Sequence, residues 1–239
     1  MKILDLTMPT VAENLALDEA LLNQAIARGS DGEVFRLWES EQPAAIIGRA
    51  SRVEEEVNRD YCRANQVAIR RRCSGGASVM IGPGCLMYAV VLSTVTRPQL
   101  LVVDQIHQYV LGHLRTALAK ASIKVDVSGT SDLTVGAKKC SGNSLRCKRE
   151  AVLYHGTLLY GASIAAIGQC LKMPPRQPDY REQRPHHHFL TNLSVARDDL
   201  HQALKKAWAC DGPLTDWPAA ETRELAKSKY STDEWNLQR

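Results

Sequence analysis

No Cys-x-x-Cys pair occurs in this chain, and its seven cysteines, Cys62, Cys73, Cys85, Cys140, Cys147, Cys170 and Cys210, are an odd number. An odd count leaves no complete disulfide framework. The opening MKILDLTMPT meets Asp5 before an apolar run can build, so no secretory signal is readable. The thiols are therefore expected to be reduced and to pack as small hydrophobes in a cytoplasmic protein. No hydrophobic stretch approaches the length of a membrane span, and no internal repeat or low-complexity linker interrupts the chain. Charge of one sign is also missing. Thirty Lys and Arg against twenty-six Asp and Glu give +4, too even for a protein that neutralises nucleic acid along a groove. Neither nucleic acid nor membrane is expected as a partner, and residues 1–239 are expected to form one domain with a substantial core.

Three segments carry chemistry: RRCSGGASV at 71–79, GAKKCSGNSLR at 136–146 and YHGTLL at 154–159. The first places arginines ahead of a Ser-Gly-Gly turn, the second a lysine before another Ser-Gly turn, and the third a histidine inside an apolar run. Together they are suited to binding and activating an acyl phosphate. Arginine offers a fixed fork to phosphate oxygens, glycines let backbone N–H groups approach an anion, and a lysine can follow charge moving between phosphate and carbonyl.

Around these segments, helical and strand patterns alternate. Thr10 and Glu13 are spaced as a capping box, and Leu15, Leu17, Leu21, Leu22 and Ala25 continue a helical stripe to Gly29, so the chain is expected to open with a helix. Residues 33–38 and 43–48 read as strands, 53–65 as a short charged helix, and VAIRRR as a strand entering the glycine turn. CLMYAVVLS at 85–93 reads as a strand buried on both faces. A helix over about 101–121 precedes short strands at 124–127, 131–135, 139–145 and 151–160, and SIAAIGQCLKM reads as a helix closed by Pro174-Pro175. Residues 174–190 carry four prolines and no period, the pattern of a loop that could act as a lid or binding loop. Helices near 195–209 and 219–229 complete an α/β (α+β) class with a mixed, mostly antiparallel central sheet.

In this order the segments resemble the lipoate-protein ligase and octanoyltransferase family. RRCSGGASV is similar to its RRxSGGGAV loop, and KKCSGNSLR with YHGTLL to its K-x-x-G-S-A-x-R segment and following HHGTLL. NLALDEALL, FRLWESEQPAAIIGR, GTSDL and KYSTDEWN resemble further family elements, so the likeness spans nearly the whole chain. It implies a single lipoyl/biotin protein ligase-type catalytic domain. It also implies that ATP activates lipoate or octanoate to an acyl adenylate, with Mg²⁺ as activator and no tightly bound cofactor. The acyl group would then pass to a lysine of a lipoyl domain of a 2-oxoacid dehydrogenase or of the glycine cleavage H protein.

Carried over residue by residue, the resemblance makes Lys139 the catalytic cation, within reach of both phosphate and carbonyl oxygens. The adenylate-binding set is Arg72, Ser74, Gly75, Gly76, Ala77, Ser78, Val79, Met80, Lys139 and Arg146. The acyl substrate falls to Lys139, His155 in a positioning role, and Glu19 of the opening helix. Asp132 would hold Mg²⁺ through a water. His186 to His188 read as loop surface, because consecutive residues cannot all face one ion.

The chain departs from the family pattern at Ala77, where the third glycine would be, at Ile81-Gly82 in place of His-Asp, and at Cys85 in place of Asn. These departures keep two alternatives open. One is an ATP-independent acyltransferase working through a cysteine thioester, with Cys170 or Cys85 as nucleophile. The other is a non-catalytic relative that only binds lipoyl domains. The larger ligases continue into a C-terminal accessory domain, so here that part is either a separate accessory subunit or not needed.

Overall fold

The two longest apolar runs, 85–93 and 151–159, pair antiparallel along their whole length, and every residue in both is buried. In the computed structural model, which describes residues 1–238, they form the centre of the larger sheet. The strands are β1 (Lys2–Asp5), β2 (Val34–Trp38), β3 (Ala44–Ile47), β4 (Ala68–Arg71), β5 (Val79–Ile81), β6 (Cys85–Ser93), β7 (Asp126–Ser128), β8 (Asp132–Val135), β9 (Lys138–Ser141), β10 (Asn143–Cys147) and β11 (Ala151–Leu159). The helices are α1 (Val11–Arg28), α2 (Val53–Glu56), α3 (Arg59–Ala64), α4 (Val103–Lys120), α5 (Ile164–Cys170), α6 (His186–Phe189), α7 (Arg197–Ala207), α8 (Ala219–Leu225) and α9 (Asp233–Asn236).

Five strands in the order β1-β2-β6-β11-β10 make the central sheet, with only β1 and β2 parallel. Two three-stranded sheets, β4-β3-β5 and β7-β8-β9, flank it. The double burial of β6 and β11 follows from the period of two. Tyr88, Val90, Val152 and Tyr154 pack against Ile106, Val110 and Leu114 of α4, whereas Ala89, Val91, Ala151 and Leu153 pack against Leu17 and Leu21 of α1. The expected mixed, mostly antiparallel architecture is what forms. No helix of the described residues is long and apolar enough to cross a membrane.

Several local expectations differ from the structure. The chain opens with strand β1, which pairs with β2 over four residues, too few for a period to show. The capping box then starts α1 at Val11, with Thr10 and Glu13 making both of its bonds. The single charged helix over 53–65 is two, because Asn58 caps α3 by accepting from the Tyr61 amide at 3.2 Å while Val57 bridges to Leu171. The strand expected over 139–145 divides at Gly142 into β9 and β10, which belong to different sheets. Val79 and Met80, read as part of the glycine loop, belong with Ile81 to strand β5. Residues 174–190 are loop apart from a turn at Asp179–Arg181 and the single turn of α6. Helix α8 runs into a π-turn at Ala226–Tyr230.

Candidate active site

Strand β4 ends at Arg71, and Arg72 follows it directly. Arg71 is fully buried, and its guanidinium donates to the carbonyls of Gly48 at 2.8 Å, Ser51 at 2.8 Å and Trp235 at 2.9 Å, pinning the C-terminal segment behind the glycine loop. Arg72 turns inward and shapes the loop itself. It donates to the Ser74 hydroxyl at 3.1 Å, the Ile46 carbonyl at 3.2 Å and the Ala77 carbonyl at 3.0 Å, with a further short bond to the Gly75 carbonyl. Burial lowers its pKa to about 10, opposed by the nearby Glu56 carboxylate. Much of the donor capacity that would otherwise meet phosphate holds loop carbonyls in place, so the backbone of 75–80 is what the loop presents.

The loop closes on the end of β3 through glycine. A Cβ on Gly48 would lie 1.9 Å from the Gly76 carbonyl oxygen, and Gly76 itself has φ +83, a conformation that costs other residues energy. Gly48→Ala must therefore displace the loop backbone rather than a flexible side-chain end. The expected result is at least about a tenfold weaker affinity for the anionic ligand, more than ~1.4 kcal/mol, with the central sheet intact by circular dichroism. Unchanged binding by titration calorimetry would disprove this account of the loop.

Gly142, between β9 and β10, brings Lys139 to the mouth. The Lys139 ammonium lies 2.8 Å from Asp132 Oδ1, and Asp132 Oδ2 accepts from the Tyr180 hydroxyl at 2.7 Å. Asp132 is thus the link between the lysine and the 174–190 loop. Each of its oxygens has one protein partner, and no cluster of three metal-ligating side chains exists among the described residues. Immediately after the loop the chain meets Lys139 again, where the Thr191 amide donates to the Lys139 carbonyl at 2.9 Å. Its interior is fixed by Arg181 and Arg184 lying over the Phe189 ring, at 4.5 and 5.4 Å.

Behind the glycine loop runs a buried polar chain that the motifs did not reveal. His155 Nε2 is 2.6 Å from the Ser74 hydroxyl and Nδ1 is 3.0 Å from Asp18 Oδ2. Asp18 Oδ1 in turn meets the Arg36 guanidinium at 2.5 Å. Asp18, paired with Arg36, can only accept, so Nδ1 carries a proton and donates to it. At its other end His155 Nε2 holds the loop serine hydroxyl. Glu56, also buried, accepts from the Ser78 amide at 2.6 Å.

The opening helix supplies a different acid from the one expected. Glu19 pairs with Lys229 at 2.7 Å and accepts from the Tyr230 hydroxyl at 2.6 Å, so it anchors the C-terminal segment and lines no chamber. Asp18 is the acid that faces the site. Helical phase separates the two acids only weakly, since Asp18 is three residues from both Leu15 and Leu21 while Glu19 is four from Leu15 and three from Leu22.

Two connected chambers result. One is largely apolar, walled by Val79, Met80, Leu159, Ile167, Leu171 and Phe189. The other runs from Thr130, Asn143 and Ser144 past Arg72 to His155, Leu15, Ile46 and Met87. Ala77, Ser78, Val79, Lys139, Gly142, Thr157, Arg176 and Pro178 line both, so Lys139 stands at the junction. Arg146 lines neither. It sits two residues beyond Ser144 on β10, and Ser144 donates to the Gly75 carbonyl at 2.8 Å.

No cysteine lines either chamber. Cys170 is buried with its sulfur 3.6 Å from that of Cys62, and burial, reinforced by Cys62, pushes its thiol pKa well up. Cys85 is buried in β6, where burial raises its pKa to about 12. The structure therefore speaks against both as nucleophiles, because the reactive form is the thiolate and apolar burial disfavours it. The histidine tract also differs from expectation. His187 and His188 are exposed, but His186 is buried and lines the apolar chamber.

The sequence model of the lipoyl protein ligase A/B catalytic domain matches residues 10–210. Lipoate-protein ligase A subunit 1 of Thermoplasma acidophilum is 25% identical over 241 residues, covering 94% of this chain and 91% of that protein. The octanoyltransferase LipM of Halalkalibacterium halodurans is 25% identical over 265 residues, covering 95% of each. Among solved structures, the archaeal bi-partite lipoate protein ligase from Thermoplasma acidophilum superposes with a TM-score of 0.82 at 24% identity, covering 100% of this chain and 97% of that one. A lipoate-protein ligase A bound with ATP gives 0.76 at 25% identity, covering 99% and 98%.

Proposed function

The chain belongs to the lipoyl protein ligase A/B catalytic-domain family and is an enzyme; from that premise we propose that it activates lipoate or octanoate with ATP and transfers the acyl group to a lysine of a lipoyl domain. The observation that carries this reading is Lys139 at the junction of two chambers, the place where the two halves of an acyl adenylate would meet. The acid carboxylate attacks the α-phosphorus, forming the mixed anhydride and releasing pyrophosphate. The acceptor lysine, as free amine, then attacks the carbonyl and releases AMP. Negative charge builds first on phosphate and then on the carbonyl oxygen, and one ammonium within reach of both lowers both barriers.

The apolar chamber takes the nucleoside. β5 is an edge strand of its sheet, so one row of its backbone groups has no strand partner and can meet a base edge, while Phe189 and Leu171 flank the slot. The acyl chain runs the other way, over Leu15, Ile46 and Met87. Mg²⁺ enters with ATP as part of the substrate. The 174–190 loop, held by Tyr180 and Phe189, keeps water from the anhydride. The subunit name of the Thermoplasma relative supports an accessory subunit as a separate polypeptide. The direct test is incubation with ATP, Mg²⁺ and lipoate or octanoate. Pyrophosphate and acyl adenylate should appear by mass spectrometry, and their absence would overturn the reading.

The LipM relative keeps a thioester transferase in view, and the thiols discriminate the two. Cys170→Ser and Cys85→Ser are expected to keep acyl transfer within about threefold, with modest losses of packing. Iodoacetamide should label no buried cysteine quickly. Rapid labelling of Cys170 that an acyl-carrier substrate protects, together with an inactive Cys170→Ser, would establish the transferase instead.

A further inference from the structure

We propose that His186 contacts the nucleoside part of ATP and sets affinity for that half of the adenylate, an inference that rests on the apolar chamber being the nucleotide site. Pro185 starts the turn of α6, with its carbonyl accepting from the His188 and Phe189 amides at 3.0 Å each. That turn sends His187 and His188 outward, where their rings pack at 4.1 Å. It sends His186 inward, 9% exposed, among Ile167, Phe189 and Leu190 of the chamber wall.

Neither ring nitrogen of His186 has a protein hydrogen-bond partner among the described residues. Its ring nitrogens are not among the sealed, unpartnered polar atoms of the interior, so they keep an open side, and the residue lines the chamber. The chemistry of the ligand follows from its charge. Burial, with Arg181, Lys139 and His187 around it, lowers the imidazole pKa to about 4. At neutral pH it therefore offers one donor and one acceptor and no charge. Such a pair matches the hydroxyls and ring nitrogens of a nucleoside. Phosphates call for the cationic groups nearer Lys139, and an alkyl chain would gain nothing from an imidazole.

The test compares His186→Leu, which removes both hydrogen-bonding atoms, with His186→Gln, which keeps a neutral donor and acceptor. Binding of ATP is measured by titration calorimetry, and KM for ATP and for the acid by turnover. The Leu variant should bind ATP about tenfold more weakly, with KM for the acid and kcat at saturation nearly unchanged. The Gln variant should recover affinity to within about threefold of the parent. Matching thermal melts establish that both variants are folded, and if His186→Leu melts early the Gln variant and the parent decide the outcome. ATP affinity in His186→Leu within twofold of the parent would overturn the inference, as would a rise confined to KM for the acid. Failure of the unmodified protein to bind ATP at all would instead remove the proposed function, so the two failures are read from different samples.

Discussion

Lys139→Ala is expected to lower acyl transfer by about 10²–10³-fold, the scale of removing one preorganised group from a developing oxyanion. The lost ammonium sits at the junction of the chambers and is only partly covered, with Asp132 as its ion-pair partner. Its removal leaves the fold in place, and circular dichroism and the melting curve should hardly move. Most of the loss should fall in kcat, because the cation matters more as charge develops than in the ground state. Lys138 is the internal control. It precedes Lys139 on β9, faces solvent and lines neither chamber, so Lys138→Ala should retain full activity. A Lys139→Ala variant that keeps more than about a tenth of the parental kcat, a loss under ~1.4 kcal/mol, would remove Lys139 from the centre of the mechanism.

The largest stability effect is expected at Asp18. Its carboxylate neutralises Arg36, which is fully buried beneath the opening helix, and it also receives His155 Nδ1. Burial lowers the Arg36 pKa, and Asp18 is the charge that opposes this. Asp18→Ala leaves a guanidinium in the interior with neutral partners only: the Asn14 carbonyl at 2.8 Å, the Leu6 carbonyl at 3.1 Å and Asn14 Oδ1 at 2.5 Å. Breaking a buried pair in this way costs about 3–5 kcal/mol. Asp18→Asn keeps a hydrogen-bonding oxygen and should lose less. Urea unfolding of the three proteins gives the comparison. A loss below about 1 kcal/mol in Asp18→Ala would mean that Arg36 is satisfied without its counter-ion.

Asp18 also marks the division between what the sequence states and what folding adds. Adjacent acids at 18 and 19 on one helix differ only in phase, and the family motif alone favoured Glu19. Tertiary structure assigns Glu19 to Lys229 and Tyr230, some two hundred residues later in the chain, and Asp18 to His155 and Arg36. His155 was legible as a histidine in an apolar run with a positioning role, but its partners Ser74 and Asp18 come from elements that only packing brings together.

By itself the sequence determined the features whose causes are local or periodic. The capping box of α1, the apolar runs of β6 and β11, the glycine turn at 74–76 and the proline-rich loop at 174–190 follow from propensity, alternation and backbone freedom within a few residues. The family reading followed from the order of such segments. Tertiary structure alone decided where long side chains spend their donors and how deeply each group is buried. Arg72 was expected at phosphate and is largely taken up by loop carbonyls. Asp132 ties Lys139 to Tyr180, a contact that the motif spacing did not contain. Cys170 is sealed beside Cys62, while His186, one of three consecutive histidines, is the one turned inward. Burial and partner choice depend on contacts between segments far apart in the chain, and those contacts set hydrogen bonding and pKa, which no spacing rule contains.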